Sequence, residues 1–253
     1  LLAAPRDAAK LGFVKGKRPS GARPGEFRWE FFSVSDASAR KPFLERFYQQ
    51  YLEQQQTATF IMQVSATYTV GTLERLVRRG SRTTRRAAAL ALGLIGDYQS
   101  NAVLGEALND VDRGVRTFAE NALRTVWRRI GNDEQQRLLE AAIRANGARH
   151  FLAAIARAAE LLDDAPWFAE AWNQRAIGYY GCGLFHESIA DCHQALDINP
   201  YHFGAAAGIG QCYLQLGRRQ LALESFRRAL RLNPNLEGIR AQVAALERTT
   251  GKK

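Results

Sequence analysis

Residues 209–234 read IGQCYLQLGRRQLALESFRRALRLNP. Apolar residues recur every three to four positions on both sides of Gly217, the pattern of two amphipathic helices joined by a tight turn. Pro234 ends the second helix, because proline cannot continue an interior helical turn. Pro166, Pro200 and Pro234 stand 34 residues apart, so the stretch is one copy of a repeat. The preceding copy has Trp172, Tyr179, Gly183, Ala195, Leu196 and Pro200 at matching positions. It carries Arg175-Ala176 where the last copy has Ile209-Gly210, and Cys192 where the last copy has Phe226. An earlier copy, about 135–168, keeps Ala154, Ala158, Leu162 and Pro166. Residues 237–249 read as a helix that closes the stack.

A second, shorter period runs upstream. Residues 73–96 overlay 104–127: Leu73 on Leu104, Val77 on Leu108, Arg85 on Arg116, Ala88 on Ala119, Ala91 on Ala122 and Leu92 on Leu123. Gly80-Ser81 and Asn109-Asp110 separate the helices within each unit. Leu138 and Leu139 continue this shorter register, one period after Ala107 and Leu108, while lying in the first helix of the longer repeats, which predicts one continuous rod. Upstream, Phe43, Leu44, Phe47, Tyr48, Tyr51 and Leu52 make a helical stripe, so 41–66 reads as capping helices.

The longer units, with Ile209-Gly210, Tyr213, Gly217, Ala222, Phe226, Ala229-Leu230 and Pro234, resemble tetratricopeptide (TPR) repeats. The shorter units, with R-x2-A-x2-A-L, resemble short HEAT repeats of the bilin-lyase-like type. Together they imply an all-α, right-handed α-solenoid: a basic irregular arm over 1–40, caps over 41–66, HEAT-like repeats over 67–132, and TPR repeats with a closing helix over 133–253. The TPR resemblance implies a concave groove faced by Asn173, Ile177, Tyr180, Gly204, Gly208, Gln211, Leu214 and Gln215. Gly204 and Gly208 are four apart and share a helix face. They stand where the family's carboxylate clamp has Lys and Arg, so no such clamp is expected.

The chain has 253 residues, is 46% hydrophobic and carries a net charge of +10, with 29 of its 35 basic residues arginine. The hydrophobic share excludes wholesale disorder, and no apolar run reaches membrane-span length. The charge is zoned: +5 over 1–29, +5 over 74–86 and +6 over 218–253, with −4 over 138–217. Arg75, Arg78, Arg79, Arg82, Arg85 and Arg86 would form a basic surface, its first four residues one stripe if the helix ran through Gly80. That surface suits an anionic partner, and it carries the alternative reading, a nucleic-acid-binding HEAT-type solenoid. Phe27, Trp29, Phe31 and Phe32 form a candidate anchor, since aromatics beside arginine are common interface hot spots.

Chemistry is sparse. Cys182, His186, Cys192 and His193 are spaced like metal ligands, but Cys192 occupies a repeat core position, where free cysteine serves as a small apolar residue. No phosphate loop, dinucleotide glycine pattern, nucleophile elbow or paired-carboxylate motif is present. The expectation is a non-catalytic protein–protein interaction scaffold or accessory subunit of a larger assembly, without metal or cofactor. Its partners are other proteins, with nucleic acid as the alternative. Localisation stays open between the cytoplasm and a processed, exported form.

Overall fold

Every helix but the last has its partner next to it in sequence. The computed structural model describes residues 42–250, so the arm with Phe27, Trp29, Phe31 and Phe32 lies outside the described residues. Thirteen α-helices and no strand make up that region. They pair as α1 (Phe43–Gln54) with α2 (Thr57–Thr67), α3 (Val70–Arg79) with α4 (Arg82–Ile95), and α5 (Asn101–Ala107) with α6 (Arg113–Val126). Next come α7 (Asp133–Gly147) with α8 (Phe151–Asp164), α9 (Ala169–Gly181) with α10 (Phe185–Ile198), and α11 (Phe203–Gln215) with α12 (Arg219–Leu232). The last helix, α13 (Glu237–Thr250), packs on α12 and closes the stack. The fold is an α-solenoid of consecutive helix pairs.

Both sequence periods record burial. Leu73, Ala88, Ala91 and Leu92 and their counterparts one HEAT unit on are all buried, and the small alanines let α4 lie close against α6. The repeated arginine closes a turn. Arg85 Nη1 donates to the Gly80 carbonyl at 3.2 Å, and Arg116 Nη1 donates to the Val111 carbonyl at 3.3 Å. These carbonyls occupy equivalent positions in the two units, so the arginine satisfies backbone acceptors left open between the paired helices.

In the later units the turn is a Schellman cap. Gly183 (φ 79°) and Gly217 (φ 69°) are left-handed. The next amide donates back, Leu184 to Tyr179 at 2.9 Å and Arg218 to Tyr213 at 2.8 Å. The same geometry ends α7, where Arg149 has φ 61° and the His150 amide donates to Ala145 at 2.8 Å. Positions 149, 183 and 217 are equally spaced at the TPR period, so α7–α8 shares the turn of the later units although its sequence has drifted furthest from them.

The two repeat types form one unit, as the continuous rod read from Leu138 and Leu139 implies, but they do not run on end to end. α7 packs on α8 and α9, while α5 and α6 face residues far downstream, in the loop that enters α11. Asn101 Nδ2 donates to Asn199 Oδ1 at 3.0 Å across this junction. The Trp127 ring stacks on His202 at 4.4 Å and 17°, and it lies 5.1 Å from the Phe203 ring. Further along, Arg116 Nε donates to Asn235 Oδ1 at 3.1 Å, and Arg113 pairs with Glu237 at 2.9 Å. The loops entering α11 and α13 therefore dock against the last HEAT unit, and the chain folds back on itself. Periodicity registers which neighbours a helix repeats, not which loops meet at a distance.

Two substitutions test these statements by equilibrium denaturation. A Cβ at Gly105 would run into the Tyr201 ring of the docking loop, so Gly105→Ala is expected to cost about 1–3 kcal/mol despite its better helix propensity. Arg149→Gly removes a left-handed non-glycine residue and is expected to add about 1 kcal/mol.

Candidate functional site

The docked loop and the facing helix enclose a cavity of about 480 Å³. Helix α6 and its C-terminal turn give it Arg124, Trp127 and Arg128; α9 gives Glu170, Asn173, Gln174, Ala176, Ile177 and Tyr180; α10 gives Ser188 and Cys192. His202 from the loop and Gly204, Gly208 and Gln211 from α11 complete the lining. Its size falls in the range of ligand pockets, and its lining mixes apolar surface with many polar and charged groups.

The depth comes from small residues. Phe226 fills the space beside Gly210, where any Cβ would meet its ring. One repeat earlier, at the position equivalent to Phe226, stands Cys192. A Cβ on Gly208 would lie 3.1 Å from the Cys192 sulfur, so that glycine admits α10. Gly204 differs: a Cβ there meets His202 at 3.5 Å and Asn173 at 3.8 Å, which is ordinary contact. The fold does not require glycine at 204. What glycine leaves there is room in the cavity.

A buried polar network forms the floor. Glu170 accepts from Gln174 Nε2 at 2.7 Å, and its other oxygen lies 2.9 Å from His202 Nε2. His202 Nδ1 accepts the Ala205 amide at 3.1 Å and so caps α11. That bond leaves the ring proton on Nε2, which donates to Glu170. Burial alone would push the Glu170 carboxyl up, but the His202 and Gln174 hydrogen bonds and the Arg128 charge hold it below its ordinary value. Above the floor, Trp127 Nε1 donates to Asn101 Oδ1 at 2.7 Å. One connected path thus runs from α5 and α6 through the loop to α9.

Of the eight groove residues read from the sequence, Asn173, Ile177, Tyr180, Gly204, Gly208 and Gln211 line this cavity. Gln215 sits at its margin, donating to the Tyr180 hydroxyl at 3.2 Å. Leu214 is half-buried outside it. Sequence reasoning missed Arg124, Arg128, Glu170 and His202, because the fold-back alone brings α6 to this face. The one available signal was the four-residue spacing of Arg124 and Arg128 around Trp127.

The basic stripe is corrected. Gly80 caps α3 and Ser81 starts α4, so no helix runs through Gly80 and the four arginines do not share one. Four of the six arginines in the block are held by carboxylates: Arg78 by Glu106 at 2.9 Å, Arg85 by Asp110 at 2.7 Å, and Arg86 and Arg82 by Asp112 at 2.6 and 3.3 Å. Arg75 donates to Thr72 at 3.1 Å, and Arg79 is exposed at the end of α3. The cysteine–histidine spacing is split too: Cys182, His186 and His193 are exposed, while Cys192 is buried and its thiol pushed far up by desolvation. Among the described residues no group of three or more His, Cys, Asp or Glu is placed to hold a metal ion. No helix among them is long and apolar enough to cross a membrane.

Comparison with known proteins assigns the repeats. A family model for HEAT repeats matches residues 69–160, and one for the tetratricopeptide repeat matches 205–236. The HEAT match runs on across α7 and most of α8. A TPR repeat-containing protein of Rhizobium etli is 30% identical over 138 residues, 53% of this chain and 66% of its own. Human superkiller complex protein 3 is 34% identical over 82 residues, 32% of this chain and 5% of its own. The chain thus spans just under two thirds of the first relative and a small part of the second. Among solved structures, the first TPR of Spaghetti (RPAP3) bound to an HSP90 peptide aligns with TM-score 0.46 at 19% identity, covering 49% of this chain and 98% of that one.

The floor network makes stability acid-sensitive. With its pKa lowered by folding, Glu170 contributes stability that is complete above its ordinary value of 4.5 and is lost as pH falls through the folded value. Glu170→Gln is expected to cost about 1–3 kcal/mol at pH 7, because its NH2 would face one of the two donors, His202 Nε2 or Gln174 Nε2. The same variant should lose less stability than wild type on going from pH 5 to pH 3, measured by urea denaturation at each pH.

Proposed function

We propose that this chain, which combines HEAT and TPR repeats, is a protein-interaction scaffold that takes up a segment of another protein in the cavity between the TPR face and helix α6. The carrying observation is Gly204. It is the second residue of α11, at a position where a Cβ would make only ordinary contact, so packing does not require glycine there. Glycine at 204 answers no packing need and leaves the cavity open.

The lining fits an extended peptide. Asn173 and Gln211 carry amides that both donate and accept, as a peptide backbone requires. Ile177 is 41% exposed and Tyr180 is half-buried, so both offer apolar surface to a side chain. Nothing in the lining is arranged as a nucleophile with a base, since the Cys192 thiol is desolvated and Ser188 Oγ donates to the Ala176 carbonyl at 2.8 Å. A non-catalytic role within a larger assembly follows from this reading. Nucleic-acid binding through the α3–α4 arginines is disfavoured by their carboxylate partners.

Selection from a phage-displayed library of 12-residue peptides tests the reading. Peptides enriched on the full chain are expected to bind at micromolar affinity and to lose at least tenfold against Gly204→Leu. That variant should be as stable as wild type or more so, since leucine is the better helix former. Enriched peptides that bind Gly204→Leu as well as wild type would remove the cavity from the proposal.

A further inference from the structure

Helix α6 is the wall of the cavity that the TPR face does not supply, and its contribution is cationic. Arg124 near the end of α6 and Arg128 in the turn that follows it are both exposed and both line the cavity. Arg124 stands over the Phe203 ring at 4.8 Å, which holds its planar guanidinium at the mouth. Its ion pair with Glu120, at 3.0 Å, is a surface i,i+4 bridge with Arg124 51% exposed, so a competing anion displaces it at little cost. Arg128 acts on Glu170 through the field across the cavity. Glu170 itself is turned inward, its oxygens occupied by Gln174 and His202. Donors therefore face the mouth, and the one carboxylate in the lining lies beneath them, already bonded.

We infer, on the cavity reading above, that the segment taken up there carries a carboxylate side chain lodged between Arg124 and Arg128, next to an apolar residue resting on Ile177 and Tyr180. Two guanidiniums at the mouth repel a cationic segment, while a neutral one leaves their forks to water. Arginine meets a carboxylate through two parallel N–H···O bonds, so the site discriminates by geometry as well as charge. The arrangement differs from a clamp built on TPR helices. Its charges come from a HEAT helix, and they reach the groove only because the HEAT unit and the loop entering α11 dock through Trp127 and His202.

The test uses the full chain and a position-scanning library of 10-residue peptides at 50 mM NaCl. The expected outcome is selection for Asp or Glu at one position beside an aliphatic or aromatic residue. The best peptide should weaken at least tenfold against Arg128→Glu and several-fold in 500 mM NaCl, as screening requires. Replacing its acidic residue by lysine should restore binding to Arg128→Glu. Arg128→Glu also removes a charge that favours ionised Glu170, so a modest drop in melting temperature is expected with the fold retained; Arg124→Glu serves as the second variant if it fails to fold. Peptides that lose binding to Gly204→Leu but show no acidic preference, or that bind Arg128→Glu equally well, would overturn the inference and leave the cavity reading intact. Absence of any peptide sensitive to Gly204→Leu would overturn both. A generic single-stranded oligonucleotide that outcompetes every selected peptide would put nucleic acid in the peptide's place and overturn the inference.

Discussion

The stacking of Trp127 on His202 is the contact on which the rest of the arrangement depends. Trp127 is nearly fully buried at the end of a HEAT helix, and His202 is buried in the loop that opens the last TPR unit. Each ring is also committed elsewhere: the indole nitrogen to Asn101, the imidazole to both Glu170 and the first turn of α11. Burying polar side chains is costly unless each finds its partners. Here the partners come from four separate elements, and the Asn101–Asn199 bond and the Trp127–His202 stack form only when the two repeat types are docked. A solenoid that ran straight on from α6 would leave Glu170 and His202 facing water and Asn101 without Asn199.

Docking uses a feature that TPR units repeat for another reason. Asn199 and Asn233 precede the prolines that end α10 and α12, and both are fully buried. Each side chain accepts the amide two residues on, at 3.1 and 2.9 Å, which shapes the inter-repeat loop locally. The loop at 199 then presents its asparagine to Asn101, and the loop at 233 presents Asn235 and Glu237 to Arg116 and Arg113. Both loops thus meet the last HEAT unit from the same side of the TPR stack. A local turn solution, repeated once per TPR unit, becomes an interface.

This division explains what could be read from the residues alone. The helix pairs, their caps and six of the eight groove positions were legible, because packing between adjacent helices imposes the same small and apolar residues once per repeat. Ala88 and Ala119, or Gly183 and Gly217, occupy matched positions for matched reasons. Arg149 shows the limit: it holds the left-handed turn without the glycine that would have announced it. The cavity's cationic wall left no signal beyond the four-residue spacing of Arg124 and Arg128. Arg124 and Arg128 stand far along the chain from Glu170 and His202, and no repeat relates the two sides. Contacts between non-equivalent surfaces leave no period in the sequence.

The same distinction revises what an arginine-rich composition means. Arg85, Arg116 and Arg129 each donate to backbone carbonyls; Arg129 reaches Leu94 and Gly93, both at 2.6 Å, at the end of α4. A guanidinium spans two acceptors at once, which lysine's single ammonium does not do in a fixed geometry. Arg85 and Arg86 also carry bidentate bonds to Asp110 and Asp112, and Asp112 in turn caps α6. An anionic partner seeking these side chains would have to displace carboxylates that help start α6 and close the HEAT turns. Much of the positive charge around residues 74–86 is therefore spent within the repeat, and net charge is a poor guide to where a partner lands. Two exposed arginines on a cavity wall, Arg124 held only by a weak surface bridge to Glu120, beside a carboxylate that is already bonded, give a sharper one.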